Sequence, residues 1–391
     1  MVKARFAISG FALAVSACGG ETRAAYEVER SAAVERAPSV AEDWDPDVAV
    51  SLSHSAAATI TAIALESALT ERAPTVRIPV LGGVEVEARP DLRLASLDLR
   101  KDPSCDACLT TIAHLAGEIH GGLGPLSAAL PVTAEVRGAA AIRASGSELI
   151  GTISHVEVTA LTVTAFGMEL GPDAALVRRL STNLAELTVT TTLTTIPDLG
   201  VPLLATRAVV TADSVGIEAR TDALGRLACR PPRQEADRAA ISLATSTVLG
   251  VLRRRAFENG VDSDGFLAVP ESISLAQRRF TLGLRVWHLS RWMSGRRDFA
   301  ASGTIDLSAT GVGLHVDKVA ASDEGGCGAG ADPTLLVGAS TIAEQIASRL
   351  ALTWTPPGTG SLPVIRPLAI GESAGCIQAS FAVVAPSVGG G

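Results

Sequence analysis

The 391-residue chain is 47 % hydrophobic and carries a formal charge of −8, which excludes a disordered chain and gives no electrostatic support to general nucleic-acid binding. Aromatic residues are only 3 % of it, so an interior must be built from Ala, Val, Leu and Thr, whose small and branched side chains make smooth apolar walls. The length exceeds one average domain and suffices for one large core or two moderate ones.

Lys3 and Arg5 precede an apolar run over residues 6–15 that is broken only by Ser9 and closes on Val15-Ser16-Ala17-Cys18. About ten apolar residues are too few to cross a hydrocarbon core as a helix. The pattern resembles a bacterial lipoprotein signal. Residues 1–17 are then expected to be removed, leaving Cys18 to carry the lipid, because its thiol is the nucleophile placed just after the small residues. The resemblance implies a palmitate-type acyl anchor, a membrane partner reached through it and a place in the bacterial cell envelope. Gly19 in place of an Asp gives no inner-membrane retention signal, which favours the outer membrane. Residues 18–47 are charged and poor in branched apolar side chains, so they read as the lipidated cysteine and a flexible tether.

Folding is expected to start at Val48, and residues 48–228 form a first unit. From Val48 to Arg72, Leu52, Ala56, Ile60 and Ile63 recur on one helical face and Ala58, Ala62, Leu65 and Leu69 on a second, which predicts a buried helix. Its Ser and Thr content argues against a second membrane anchor. After Pro74 the period becomes two, through Val76, Ile78, Val80, Val84, Val86, Leu92 and Leu94, with a phase slip before Leu97 that predicts a bulge. Further strands are expected at 109–119, 130–143 and 149–166, separated by turns such as "HGGLG" and "ASGSE". A helix opening at Gly171-Pro172 and a Pro-broken apolar stretch, 195–220, complete the unit.

After a Pro- and Arg-rich link the order recurs over residues 229–391. A helix is expected near 235–256, with Ile241, Ala244, Val248 and Val251 on one face. Strands follow at 266–269, 278–289, 299–309 and 311–318, then a helix from Asp332-Pro333 and a Pro-broken return to the end. The predicted class is α+β: two consecutive units, each a long helix wrapped by a twisted antiparallel β-meander. This order resembles the tubular lipid-binding fold of the bactericidal permeability-increasing protein family, over roughly residues 48–385. The resemblance implies an elongated apolar channel beside each long helix, with a lipid or other long apolar ligand as partner. Ile60, Ala62 and Ile63 in the first helix and Ala244 and Val248 in the second are the candidate ligand-binding positions. A fully packed α+β body without a cavity is the alternative.

Motifs with catalytic associations fit this reading less well. "GESAG" at 371–375 matches the G-x-S-x-G nucleophile elbow of carboxylesterases and "HGG" at 120–122 their oxyanion-hole signature. An elbow needs a helix after Ser373 and a histidine later in the chain, yet the last histidine is His315 and "AGCIQASFAVV" alternates as a strand. The expectation is therefore a protein that is not an enzyme, with a serine esterase as a remote alternative. "CDAC" at 105–108 has redox-motif spacing without a βαβ context and reads as a small disulfide-closed loop. Two disulfides and one free thiol are expected among Cys105, Cys108, Cys229, Cys327 and Cys376, with Cys327 and Cys376 as the leading second pair because both lie in the second repeat. Zinc lacks a second spaced pair, and "ENGVDSDG" at 258–265 lacks the closing Glu of a calcium loop and reads as a helix-to-strand turn. No metal and no cofactor are expected.

"RVWHLSRWMSGRRDF" at 285–299 collects Arg285, Trp287, Trp292, Arg296 and Arg297 near one hairpin tip, a composition that suits a membrane interface or an anionic head group. The leading expectation is a lipid-anchored envelope protein that binds a lipid in a tubular cavity. A structural or adhesion lipoprotein without a cavity is the alternative.

Overall fold

The computed structural model describes residues 21–36, 44–71, 76–80, 84–123, 126–165, 168–169, 175–223, 228–231, 235–261, 265–276, 278–289, 294–308, 311–321, 352–353 and 364–384. A helix α1 at residues 21–34 is followed by β1 (Val48–Ser53), α2 (His54–Glu71), β2 (Val76–Val80), β3 (Val84–Lys101), β4 (Cys108–Leu123), β5 (Leu126–Ser145), β6 (Glu148–Ala165) and β7 (Met168–Glu169). Next come α3 (Ala175–Ala185), β8 (Val189–Thr195), β9 (Leu203–Val210), β10 (Ser214–Thr221), β11 (Arg238–Ala244) and α4 (Thr245–Asn259). The remaining strands are β12 (Phe266–Ala276), β13 (Arg279–Leu289), β14 (Ser294–Ser308), β15 (Gly311–Ala321), β16 (Leu352–Thr353), β17 (Val364–Ser373) and β18 (Cys376–Val384). The class is mixed α+β, and the ladders are antiparallel throughout.

The strands form three sheets. A central one runs β17-β18-β11-β1-β10-β9, so that β1 and β11 pair in its middle and each is followed outward by the last strands of its own half of the chain. The meander β2 to β7, with β8 on β6, makes the second, and β12 to β16 the third. Helix α2 packs on β3 and β8, and α4 on β12.

Both halves open on a strand where a helix is expected. All six residues of β1 are buried, as are the last six of β11. A strand covered on both faces has no polar alternation, so its apolar run merges into the period of the following helix. Ser53 marks the true boundary: its Oγ accepts the Ala56 N–H at 3.1 Å and caps α2. Leu52 and Ile241 therefore belong to strands.

The meander matches its sequence pattern closely. On β4, Leu109, Thr111, Ala113, Leu115 and Ile119 are buried on one face. The phase slip before Leu97 is a register shift between Leu94 and Ser96. Gly260, at φ 71°, closes α4 before β12, so "ENGVDSDG" begins as the helix end expected of it. One apolar core joins the halves, from Leu109 and Leu115 through Val50 and Ile217 to Phe280 and Leu284.

Two features correct the sequence reading. Cys105 pairs with Cys108 as expected, but Cys376 pairs with Cys229, which lies beside it in the core with Ala244; Cys327 lies outside the described residues. Part of the tether is structured: residues 21–34 are helical, Tyr26 is buried, and Pro46 and Asp47 are interior. Ala, Glu and Arg dominate α1, and they are strong helix formers. The helix predicted after Asp332 lies outside the described residues. Among those described, no helix is long and apolar enough to cross a membrane.

Candidate functional site

Helix α1 lies on the side of α4 that faces β12 and β13. Along it Thr22 and Tyr26 are buried and Ala25, Glu29 and Ala33 half-buried, a spacing of three or four that turns one face to the body. Tyr26, the chain's single tyrosine, stands edge-on to Trp287 at 5.7 Å between ring centroids and tilted against Phe257 at 5.5 Å. Leu267 and Val269 of β12 complete this apolar cluster.

Next to it is a group of charges. Arg285 of β13 donates from Nε to Asp298 Oδ1 at 2.9 Å, from Nη2 to Asp298 Oδ2 at 3.3 Å and from Nη1 to Glu29 Oε1 at 2.7 Å. The Asp298 hydrogen bond raises the guanidinium pKa against burial, which lowers it. Arg253 of α4 donates to Glu271, whose carboxyl is pushed above its ordinary range by burial, an effect that Arg253 and Arg285 oppose. Arg254 is 5 % exposed and donates from Nη1 to both Asp222 oxygens, at 2.9 and 3.0 Å, while its Nε has no hydrogen-bond partner among the described residues.

Between α1, α4 and β12–β13, side chains of these elements line a half-open pocket of about 530 Å³. Ala32, Ala33, Leu249, Gly250, Phe257 and Val269 supply apolar wall, and Glu29, Glu271, Arg253, Arg254 and Arg285 supply charge. The volume is in the range of small-ligand sites. Such a chamber can hold an apolar group against Leu249 and Phe257 and an acidic group against guanidinium donors.

The predicted site residues fall elsewhere, with one exception. Ile60, Ala62 and Ile63 are half-buried on α2, and Val248 is half-buried on α4; none of them lines this cavity. Ala244 is fully buried at the end of β11 against the Cys229–Cys376 bridge, so it is a packed core position and not a helical wall. Arg285 does line the cavity, where it is ion-paired to Glu29 and Asp298. Trp287 is 0 % exposed, because the β13 face that it shares with Arg285 is covered there by Tyr26 of α1 and Phe257 of α4. Arg296 is exposed, with its guanidinium 5.8 Å from the Trp287 ring centroid, and Arg297 is half-buried 5.9 Å from Phe299. Cys18 and Trp292 lie outside the described residues.

Sequence reasoning missed α1, Glu29, Arg253, Arg254 and Glu271. The signal for α1 was present in the helix-forming composition and in the Thr22, Tyr26, Glu29, Ala33 spacing. Ser373 ends β17, and the φ values of Ala374 (50°) and Gly375 (76°) form a two-residue hairpin turn into β18. The strand-turn-helix of a nucleophile elbow is absent at that position. Among the described residues, no group of three or more His, Cys, Asp or Glu is placed to hold a metal.

The architecture is that of a protein with two meander sheets on either side of a shared central sheet. No family model matches the chain, and no curated protein matches it. Among solved structures it is similar to a lipopolysaccharide binding protein, with a TM-score of 0.48 and 11 % identity over 88 % of this chain and 100 % of the other. It is also similar to P47 of Clostridium botulinum E1, with a TM-score of 0.35 and 7 % identity over 88 % of this chain and 100 % of the other.

Proposed function

We propose that this is a lipid-anchored protein of the bacterial cell envelope that holds an amphipathic lipid-like ligand and performs no catalysis. The observation that carries the reading is the half-open pocket of about 530 Å³, whose walls are part apolar and part charged, with Arg253, Arg254 and Arg285 set beside Glu29 and Glu271. An elongated apolar channel beside each long helix is the form expected from sequence; the pocket beside α4 instead suits a ligand with one apolar chain and one polar or charged group. The anchor rests on Cys18 and the apolar run before it, and the outer membrane on Gly19.

The test is native mass spectrometry of protein purified from the envelope, read beside metabolic labelling with a fatty-acid probe. A co-purified amphiphile in the wild type and loss of label in Cys18→Ser are expected. Absence of any bound lipid would favour a structural or adhesion lipoprotein, and equal label in Cys18→Ser would remove the anchor.

A further inference from the structure

We propose that Gly250 is the specificity-determining position of the pocket, and that the space left by its missing side chain takes the alkyl chain of a single-chain amphiphile with a zwitterionic, phosphate-and-amine head. The proposal rests on the amphiphile-binding reading above and adds the residue that admits the ligand and the class of ligand it admits.

Gly250 lies in the interior of α4 and is the one glycine within the described helices. Glycine there loses more backbone entropy than alanine and weakens the helix, so its presence needs a reason. Close packing is the reason at other glycines: at Gly117, Gly216 and Gly303 a Cβ would run into a carbonyl oxygen of the adjacent strand. At Gly250 it is not. Among the described residues outside its own turn of helix, a Cβ would meet only the Ala223 Cβ, at the ordinary contact distance of 3.8 Å.

The room that the fold does not need opens on the pocket, which Gly250 and Ala223 line together with Ala32 and Ala33 of α1. Ser246, Leu249, Gly250, Arg253, Arg254 and Phe257 form one helical stripe along it, about 16 Å long at 1.5 Å per residue. A slot of that length with small side chains on two walls matches an extended alkyl chain better than a branched ligand. Its lining charges are balanced, Arg253, Arg254 and Arg285 against Glu29, Glu35 and Glu271. A bare anion would meet three carboxylates and a bare cation three guanidinium groups, whereas a head of both signs offers each a partner. Arg253 and Arg254 stand one turn beyond Gly250, so a chain lying across the glycine brings its head within their reach.

The experiment uses the full chain stripped of co-purified lipid, with palmitoyl lysophosphatidylethanolamine below its micelle concentration as probe. Calorimetry gives affinity and thermal unfolding gives stability. Gly250→Leu should weaken binding by about 10-fold or more, because its side chain fills the slot. Its unfolding midpoint should stay level or rise by about 2 °C, because leucine favours the helix. Gly250→Ala should weaken binding by about 3-fold and be at least as stable as the wild type. A merely structural glycine would give the reverse, lost stability with affinity retained. Unchanged affinity in Gly250→Leu, or a midpoint several degrees lower in both variants, would overturn the proposal and leave the amphiphile reading standing. Should Gly250→Leu fail to fold, unchanged affinity in Gly250→Ala overturns it instead. Equal binding of palmitate or hexadecylamine by the wild type would overturn the zwitterionic head, and equal binding of dioctanoyl phosphatidylethanolamine the single chain. A wild type that binds none of these four amphiphiles would overturn both readings.

Discussion

Asp47 and Thr247 meet in the interior: the Thr247 hydroxyl donates to Asp47 Oδ2 at 3.2 Å, although Asp47 precedes β1 and Thr247 lies in the first turn of α4. The same carboxylate, fully buried, accepts the Thr221 N–H at 3.0 Å and the Thr221 hydroxyl at 2.6 Å at the end of β10. One side chain thus ties the central sheet to the helix that walls the cavity. Asp47→Ala would leave these donors buried and unpaired, a change expected to cost about 3–5 kcal/mol. Asp47→Asn keeps one acceptor and should cost less. Urea unfolding of both variants checks the order.

The two disulfides should contribute unequally. Cys229–Cys376 closes a loop with a sequence separation of 147 and Cys105–Cys108 one of 3. Loop-closure entropy in the unfolded chain then predicts losses of about 5 and about 2 kcal/mol when each pair is replaced by Ser. Non-reducing urea titrations of the two double variants measure this. A larger loss at Cys105–Cys108 would contradict the entropic account.

Stability should fall as the solution is acidified from neutral pH through the histidine range. Burial lowers the His54 pKa from 6.5, against smaller opposing effects of Ser214 and Asp213. Below about pH 6.5 the unfolded chain therefore binds a proton that the folded chain refuses, so this contribution is present above that pH and lost as pH falls toward the depressed value. His54 also opens α2, where a positive charge is disfavoured by the helix dipole. His54→Gln should flatten the decline between pH 7 and pH 5.

Ala244 and Ala62 should answer oppositely to enlargement. Ala244 touches Cys229 and Cys376 in a closed core, and Ala244→Phe is expected to lower stability by about 1–3 kcal/mol or more through overpacking. Ala62 is half-buried on α2, and Ala62→Phe should shift the midpoint little. Thermal unfolding of lipid-stripped protein separates the two.

Ser373→Ala should leave hydrolysis of short-chain esters unchanged, because Ser373 ends a β-hairpin strand and is followed by a turn and a strand instead of a helix. Activity present in the wild type and lost in the variant would promote the esterase reading.

Alternation by itself determined the meanders, because β4, β13 and their neighbours bury one face and leave the other polar. The Leu94–Ser96 bulge, the turn after α4 and the Ser373 hairpin could also be read, since Gly, turn residues and phase slips act locally. Tertiary structure alone decided the rest. β1 and β11 are covered on both faces, which erases the period that distinguishes strand from helix. Whether Cys376 bonds Cys229 or Cys327 depends on which strand β18 pairs with, and that strand is β11. Arg285 reads as a surface cation in its own segment, and becomes an interior one only because Asp298, Glu271 and Glu29 reach it from three other elements. Pairings of that kind join residues from different elements, in the case of Glu29 from the opposite end of the chain, and local spacing does not encode them.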